Sequence, residues 1–118
     1  DAVLEQIVRE AAKGETCVLA NYNSPGQVVI SGHATAVARA CELAKEKGAK
    51  RALPLNVSAP FHSPLMEPAA ARMKEALGAV TMQNPKAILI ANVTAKPVEK
   101  ADAIRELLVQ QVTGAVRW

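Results

Sequence analysis

Residues 16–32 read TCVLANYNSPGQVVISG, and this stretch decides the first half of the fold. Two runs rich in β-branched and apolar residues lie on either side of Ser24, Pro25 and Gly26. Proline holds φ near about −65° and glycine tolerates a positive φ, so these three residues are typical of a tight turn. The stretch therefore predicts a β-hairpin.

Helical patterns lie on both sides of the hairpin. Apolar residues recur at spacings of three and four in residues 1–13, before Gly14, and again in residues 34–47, before Gly48. The segment KRALPLNV, residues 50–57, is then predicted to be a third strand. The order helix, strand, strand, helix, strand indicates a ferredoxin-like plan that lacks its first strand.

The second half has a different order of elements. A helix is predicted after Pro64, starting somewhere in residues 64–67. The segment KAILIANV, residues 86–93, is continuously apolar, which predicts a strand covered on both faces as in a parallel sheet. A last helix carries Ile104, Leu107, Leu108 and Val112, and ends at Gly114. This order indicates part of a layered α/β domain.

Composition excludes several classes of protein. The chain of 118 residues has a net charge of +3, and its basic residues are scattered, which gives little support to nucleic-acid binding. Cys17 and Cys41 lack a CxxC spacing, which argues against a zinc site and against a disulfide-rich secreted protein. No apolar stretch reaches membrane-spanning length. We therefore expect a cytoplasmic protein with no metal.

The histidine in VSAPFHSPLM, residues 57–66, is the first candidate for catalysis. His62 lies on the predicted connection between a strand and a helix, where scaffolds often present functional side chains. Imidazoles as a class titrate near neutrality, which suits general acid–base chemistry, but a structural histidine in a proline-braced loop remains open. The sequence has no GxSxG nucleophile motif, so either His62 is structural or its partner lies outside these residues.

Two further polar positions have alternative interpretations. His33 lies at the start of the second predicted helix and is expected to be a surface or cap residue rather than a metal ligand. Lys50 and Arg51 could hold a phosphate group, but a pair of cations at the start of a strand is also typical of a solvated edge.

Three motifs, in order, are NYNSPGQVVISGH at 21–33, GAKRALPLNVSAPFHSPLM at 48–66 and QQVTGAVRW at 110–118. Together they resemble the malonyl-CoA:acyl carrier protein transacylase family, and the resemblance covers essentially the whole chain. Members of that family have an α/β-hydrolase-like subdomain interrupted by a ferredoxin-like one. The resemblance implies that residues 1–57 are the ferredoxin-like subdomain without its first strand, and that residues 58–118 are part of the larger α/β subdomain.

The resemblance also implies an activity. Such enzymes move a malonyl group from coenzyme A to the phosphopantetheine thiol of acyl carrier protein through an acyl-serine. The serine belongs to a GHSLG-type elbow that this sequence does not contain, so we expect these residues alone to be inactive. The coenzyme A thioester is the substrate, and no tightly bound cofactor, nucleic acid or membrane is implied.

Residue roles follow from the same resemblance. His62 matches the catalytic histidine, and Gln111 matches a position whose backbone carbonyl orients that histidine. Asn23 and Gln27 match polar residues of the substrate cleft.

Three more residues match positions near the substrate. Lys50 and Arg51 match cations near the phosphates of coenzyme A. Phe61, directly before His62, matches a position where an aromatic residue accompanies malonyl and a smaller one methylmalonyl, because volume near the acyl α-carbon is limited.

Two alternatives remain at this stage. The chain could come from the acyltransferase domain of a polyketide synthase, which flanking ketosynthase sequence would reveal. It could instead be a ferredoxin-like module that binds RNA or a protein partner on its sheet. The second alternative requires exposed aromatic residues on the central strands, and Tyr22 is the only candidate there.

Overall fold

Both helices and strands occur along the chain in a computed structural model that describes residues 2–118. The elements are α1 (Ala2–Ala12), β1 (Cys17–Ser24), β2 (Gln27–Gly32), α2 (Ala34–Glu46), a 3₁₀ helix (Pro64–Met66), α3 (Glu67–Gly78), β3 (Leu89–Ile90), β4 (Pro97–Val98), α4 (Ala101–Thr113) and β5 (Val116–Arg117). The described residues thus form a mixed α/β structure with two small sheets.

The predicted hairpin is confirmed. Strands β1 and β2 pair antiparallel, with Tyr22 opposite Val28 and Ser24 opposite Gln27. Gly26 takes a φ of +80°, which only glycine adopts at little cost. The turn chemistry of Pro25 and Gly26 therefore sets the register of the hairpin.

The first hydrophobic core lies between this hairpin and two helices. Its buried members are Ile7, Val8, Ala11, Cys17, Leu19, Ala36 and Ala40. Arg39 of α2 fastens the end of α1, because its Nε donates to the carbonyl oxygen of Ala11 at 2.7 Å and its Nη2 to that of Ala12 at 3.1 Å. The last carbonyls of a helix have no partners within the helix, and the guanidinium satisfies two of them.

Helices α3 and α4 pack together in the second half of the chain. Ala70 and Ile104 are the buried residues of the two helices. Arg105 of α4 donates from Nε to the Leu77 carbonyl and from Nη2 to the Val80 carbonyl, both at 3.0 Å. The last predicted helix is confirmed, and it stops at Gly114 as expected.

The end of the chain joins the second half to the hairpin. Strand β5 pairs parallel with β1, so the sheet has the order β2-β1-β5. The Trp118 N–H donates to the Tyr22 carbonyl at 3.2 Å, and the Arg117 guanidinium lies 5.4 Å from the centroid of the Tyr22 ring. Residues 116–118 therefore carry the connection from α4 to the hairpin.

The strand predicted for residues 50–57 is wrong for this structure. The segment is neither helix nor strand, and the apolar side chains of Leu53, Leu55 and Val57 are 67%, 59% and 59% exposed. A strand requires a neighbour that accepts its backbone hydrogen bonds, and no described strand lies beside this segment. Within residues 2–57 the structure therefore has the hairpin and its two helices.

The buried parallel strand predicted for residues 86–93 is also wrong here. Leu89 and Ile90 pair antiparallel with Val98 and Pro97 in a two-residue ladder. Ile88 is 86% and Ile90 54% exposed, whereas Ala91 is buried, so the segment is covered only in part. A continuous apolar run predicts burial, but it does not identify the element that provides it.

The described residues are extended in shape. Their radius of gyration is 16.0 Å, whereas a compact chain of this length has one of about 13.5 Å. None of the helices in residues 2–118 has both the length and the apolar character needed to cross a membrane.

Candidate active site

His62 has an unusual backbone conformation. It follows the irregular residues 49–61 and precedes the 3₁₀ helix Pro64–Met66, and its φ is +58°. Few non-glycine residues adopt this left-handed region, although histidine does so more often than most. The conformation persists only where the surrounding structure fixes it, and such residues concentrate at functional sites.

Ser63 provides part of that fixation. Its side chain is fully buried, and its Oγ donates to the Pro60 carbonyl at 2.7 Å. Its own carbonyl accepts the N–H of Met66 at 3.0 Å, which closes the first turn of the following helix. Ser63 is thus held by hydrogen bonds to a residue before it and a residue after it in the sequence.

The imidazole of His62 faces the end of α4. Its Nδ1 lies 2.8 Å from the carbonyl oxygen of Gln111 and 3.1 Å from that of Gly114. Carbonyl oxygens only accept hydrogen bonds, so Nδ1 carries the proton and donates it to them. In the neutral ring, Nε2 is then left with a free lone pair, which is the form that a general base requires.

The carbonyl of Gln111 is available because of its place in α4. It lies in the last turn, where carbonyls lose their partner four residues on. The Gly114 N–H bonds to Gln110 at 2.9 Å, and in the described part of the chain no backbone N–H bonds to the Gln111 oxygen. His62 supplies the donor that the helix end lacks.

Asn92 holds the side chain of Gln111. Its Nδ2 donates to Gln111 Oε1 at 3.2 Å, and its carbonyl accepts the N–H of Arg117 at 2.8 Å. Asn92 therefore ties the end of α4 to β5, and through β5 to the hairpin.

Asn23 and Gln27 lie at the tip of the hairpin. A cavity of about 410 Å³ is present there, lined by Tyr22, Asn23, Ser24, Pro25, Gly26, Val28 and Trp118. Gln27 is exposed beside it, and its Oε1 accepts a weak hydrogen bond from Ser24 Oγ at 3.5 Å. Residues 114–118 connect this cavity to the acceptors of His62.

Lys50, Arg51 and Phe61 lie along the irregular segment that leads to His62. Both cationic side chains are exposed, and neither forms an ion pair within residues 2–118. Phe61 is 47% exposed and directly precedes His62. No described contact joins these three residues to the imidazole of His62.

None of the described side chains serves as a nucleophile for His62. No hydrogen bond within residues 2–118 joins its Nε2 to a serine or a cysteine. Ser63 is buried and donates to Pro60, and burial raises the pKa of the Cys17 thiol, which disfavours the reactive thiolate. Among residues 2–118, the described hydrogen bonds of the His62 ring are therefore those from Nδ1 to Gln111 and Gly114.

His33 differs from His62 in its tautomer. It precedes α2 as its N-cap residue, and its Nδ1 accepts the N–H of Thr16 at 2.9 Å. The neutral ring therefore carries its proton on Nε2. In the described part of the chain no group of three metal-ligating side chains surrounds it or any other residue.

The interpretation of the sequence missed three residues of this site. They are Ser63, which bonds to Pro60, Asn92, which bonds to the Gln111 side chain, and Gly114, whose carbonyl lies beside His62 Nδ1. The only local signal was the pair of prolines around Phe61, His62 and Ser63, which indicates a braced loop. Asn92 and Gly114 are distant from His62 in the sequence, and folding brings Gly114 to its Nδ1 and Asn92 to the Gln111 side chain.

The chain was compared with known proteins. A family model described as "Acyl transferase domain" matches residues 2–118. The chain is 46% identical over 118 residues to the malonyl CoA-acyl carrier protein transacylase of Escherichia coli K12, covering 100% of this chain and 38% of that protein.

Solved structures give the same result. The acyl-carrier-protein-S-malonyltransferase of Bartonella henselae is 52% identical with a TM-score of 0.94, covering 100% of this chain and 38% of that one. A malonyl-transacylase solved in complex with a type II polyketide synthase acyl-carrier protein is 42% identical with a TM-score of 0.97, again over 100% and 38%. The present chain thus spans about 38% of the length of these relatives.

Proposed function

Because the chain belongs to the acyl transferase domain family, we propose that the protein carrying it transfers a malonyl group from coenzyme A to acyl carrier protein. The observation that carries this proposal is the pair of hydrogen bonds from His62 Nδ1 to Gln111 and Gly114, which leaves Nε2 free as a base. The names of the relatives support the choice of malonyl as the group and of acyl carrier protein as the acceptor.

In this proposal His62 moves one proton in each half-reaction. Its Nε2 takes the proton of a serine hydroxyl, and the serine oxygen forms a bond to the thioester carbonyl carbon. The C–S bond then breaks, and Nε2 returns the proton to the coenzyme A thiolate. In the second half-reaction the pantetheine thiol of acyl carrier protein gives its proton to Nε2, and its sulfur forms a bond to the acyl carbonyl carbon. The C–O bond to the serine then breaks, and Nε2 returns the proton to the serine oxygen.

The serine is proposed to lie outside the 118 residues of this chain. No serine or cysteine within residues 2–118 bonds to His62, and the relatives are much longer than this chain. The backbone carbonyl oxygen of Gln111 accepts the hydrogen bond where other enzymes use a carboxylate. It therefore orients the imidazole of His62 without adding a negative charge.

Four other residues are proposed to contact the substrate. Lys50 and Arg51 are free to meet the phosphates of coenzyme A, because their side chains are exposed and unpaired within the described residues. Asn23 lines the cavity at the hairpin tip, and Gln27 lies beside it, so both can donate to amide or hydroxyl groups of pantetheine.

Phe61 is proposed to favour malonyl over methylmalonyl. Its half-exposed ring directly precedes His62, where a methyl group on the acyl α-carbon would need space. Phe61→Ser should raise the methylmalonyl to malonyl ratio of kcat/KM by about 10-fold or more, the effect of one methyl group in a pocket. An unchanged ratio would remove Phe61 from the specificity of the enzyme.

The division into residues 1–57 and 58–118 stays a proposal. The exposed apolar side chains of segments 50–57 and 86–93 are consistent with strands that pair in the longer protein. We further propose that the enzyme works in the cytoplasm with no tightly bound cofactor, and without a nucleic acid or a membrane as partner.

The full-length protein tests the proposal directly. Incubation with malonyl-CoA should add the mass of one malonyl group to the intact protein, on a serine identified by peptide mapping. Addition of acyl carrier protein in its pantetheine form should then remove that mass and transfer it to the carrier. A folded protein that gains no malonyl group would refute the proposal.

A further inference from the structure

We infer that Gly114 is a positioning residue for His62, and that its carbonyl shares the Nδ1 proton with Gln111. The inference rests on the proposed role of His62 as the base and goes beyond it by adding a second acceptor. The two oxygens lie 2.8 Å and 3.1 Å from Nδ1. One N–H shared between two acceptors is a three-centre hydrogen bond, which is common at helix ends.

Two acceptors restrict the ring more than one does. A single hydrogen bond lets the imidazole pivot about the line from Nδ1 to the oxygen. The second bond opposes that pivot and therefore sets the direction of Nε2, the atom that takes the proton. Because the efficiency of a base depends on its alignment, the direction of Nε2 bears on the rate.

The packing of residue 114 explains why it is a glycine. Its φ of −90° and ψ of 155° are accessible to any residue, so the backbone angles do not require glycine. A Cβ at this position would instead lie 2.9 Å from the Gln110 oxygen and 3.0 Å from Val93 Cγ2. The missing side chain thus allows the residue 114 backbone to lie close to both α4 and Val93, with its carbonyl toward His62.

The carbonyl pair also suits the charge that His62 acquires. When Nε2 takes a proton the ring becomes a cation, and both oxygens lie at the C-terminal end of α4, the negative end of the helix dipole. No carboxylate within residues 2–118 hydrogen-bonds to His62. Two backbone carbonyls therefore stabilise the imidazolium where many other enzymes place an aspartate.

A backbone substitution in the full-length enzyme tests this inference. Incorporation of lactic acid at position 115 replaces the Gly114–Ala115 amide with an ester, whose carbonyl is a weaker acceptor. The lost N–H of Ala115 makes no hydrogen bond in the described structure. The matched control is lactic acid at position 87. The N–H of Ala87 likewise makes no hydrogen bond in the described structure, so the ester there removes none.

We expect the ester at position 115 to lower kcat for malonyl transfer by about 3- to 10-fold, the effect of one weakened hydrogen bond. KM for malonyl-CoA and the thermal midpoint should match those of the control. In ¹⁵N NMR spectra the Nδ1–H signal of His62 should shift in the ester at 115 and not in the control.

The outcomes separate this inference from the proposed function. A rate equal to the control, with an unshifted Nδ1–H signal, would overturn the role of Gly114 even if His62→Ala is inactive. Normal activity of His62→Ala would overturn the proposed role of His62 as the base, and a folded wild-type protein that gains no malonyl group would overturn the proposed function. If the ester protein fails to fold, Gly114→Ala gives the second test. This variant should have a lower kcat, with a smaller change in KM for malonyl-CoA. An unchanged kcat in a folded variant would refute the inference.

Discussion

Thr16 and His33 hold each other through two hydrogen bonds. The His33 N–H donates to the Thr16 carbonyl at 2.9 Å, and the Thr16 N–H donates to His33 Nδ1, also at 2.9 Å. This pair closes the open end of the hairpin, where α1 leads into β1 and β2 leads into α2. The last residue of β2, directly before His33, must therefore pass very close to Thr16.

Gly32 is that residue, and we predict that Gly32→Ala destabilises the protein. An added Cβ would overlap the Thr16 carbonyl oxygen and lie 2.8 Å from the Cys17 Cα, both of them backbone atoms that cannot move cheaply. The expected loss is about 1–3 kcal/mol in the free energy of unfolding, measured by denaturant titration of the full-length protein.

Gly78→Ala is the matched control for this substitution. Gly78 lies at the end of α3 with nothing within 4 Å of an added Cβ. The control should leave stability unchanged or raise it by up to about 1 kcal/mol, because alanine reduces the entropy of the unfolded chain. Equal stability of Gly32→Ala and Gly78→Ala would show that the backbone at Thr16 can move away from an added Cβ at position 32.

The parts of the fold that the sequence predicted are those fixed by local chemistry. Helices α1, α2 and α4 follow from apolar spacing and glycine stops, and the hairpin follows from its turn residues. The segments 50–57 and 86–93 were predicted wrongly, since a strand also depends on a neighbour, and apolar composition does not say where that neighbour comes from.

The candidate site shows the same division. The proline-flanked loop in the sequence indicates His62, and the resemblance implies Gln111. Its contact with Gln111 spans 49 residues of sequence, and that with Gly114 spans 52. No local pattern in the sequence predicts a contact between residues so far apart in the chain. The second acceptor follows from the packing of α4 against the loop that carries His62.

Glu15 gives a prediction for the dependence of stability on pH. The hydrogen bond from Thr35, and after it the hydrogen bond and charge of Arg39, lower the pKa of this carboxyl below its ordinary value. A lowered folded pKa stabilises the protein above the unfolded pKa of about 4.3, and this contribution is lost as pH falls further through the folded value.

We therefore expect Glu15→Gln to flatten the loss of stability between neutral and acidic pH. Thermal midpoints measured from pH 7 down to the acid transition should fall less steeply for Glu15→Gln than for the wild type. The control is Glu75→Gln, because Glu75 is exposed on α3 without an ion pair among the described residues. Parallel curves for Glu15→Gln and the wild type would contradict the prediction.

Lys50 and Arg51 are predicted to act through substrate binding. In the full-length enzyme, replacing both with alanine should raise KM for malonyl-CoA by about 10-fold or more with little change in kcat, because contacts to distant phosphates contribute mainly to binding. Transfer from a short malonyl thioester without the nucleotide should stay nearly unchanged. An equal loss with both substrates would point to damage to the fold.

The 118-residue chain by itself is predicted to have no transacylase activity, because no serine or cysteine within residues 2–118 hydrogen-bonds to His62. The measurement is malonyl transfer from coenzyme A to acyl carrier protein with the purified chain, against the full-length enzyme at equal concentration. A buffer blank sets the background. Transfer above that background by the isolated chain would mean that one of its own serines or cysteines accepts the malonyl group.

The last prediction separates His62 as a base from His62 as part of the loop structure. In the full-length enzyme, His62→Ala should slow formation of the acyl-enzyme by about 10²-fold or more, equivalent to about 2.7 kcal/mol in the activation barrier. The thermal midpoint should fall by only a few degrees, since the half-buried imidazole contributes little buried apolar area. Ser63→Ala is the structural comparison: it removes the hydrogen bond to Pro60, and should lower the midpoint more than His62→Ala while costing less in rate. If His62→Ala instead melts early and its folded fraction turns over normally, the imidazole maintains the loop and the base must be sought elsewhere.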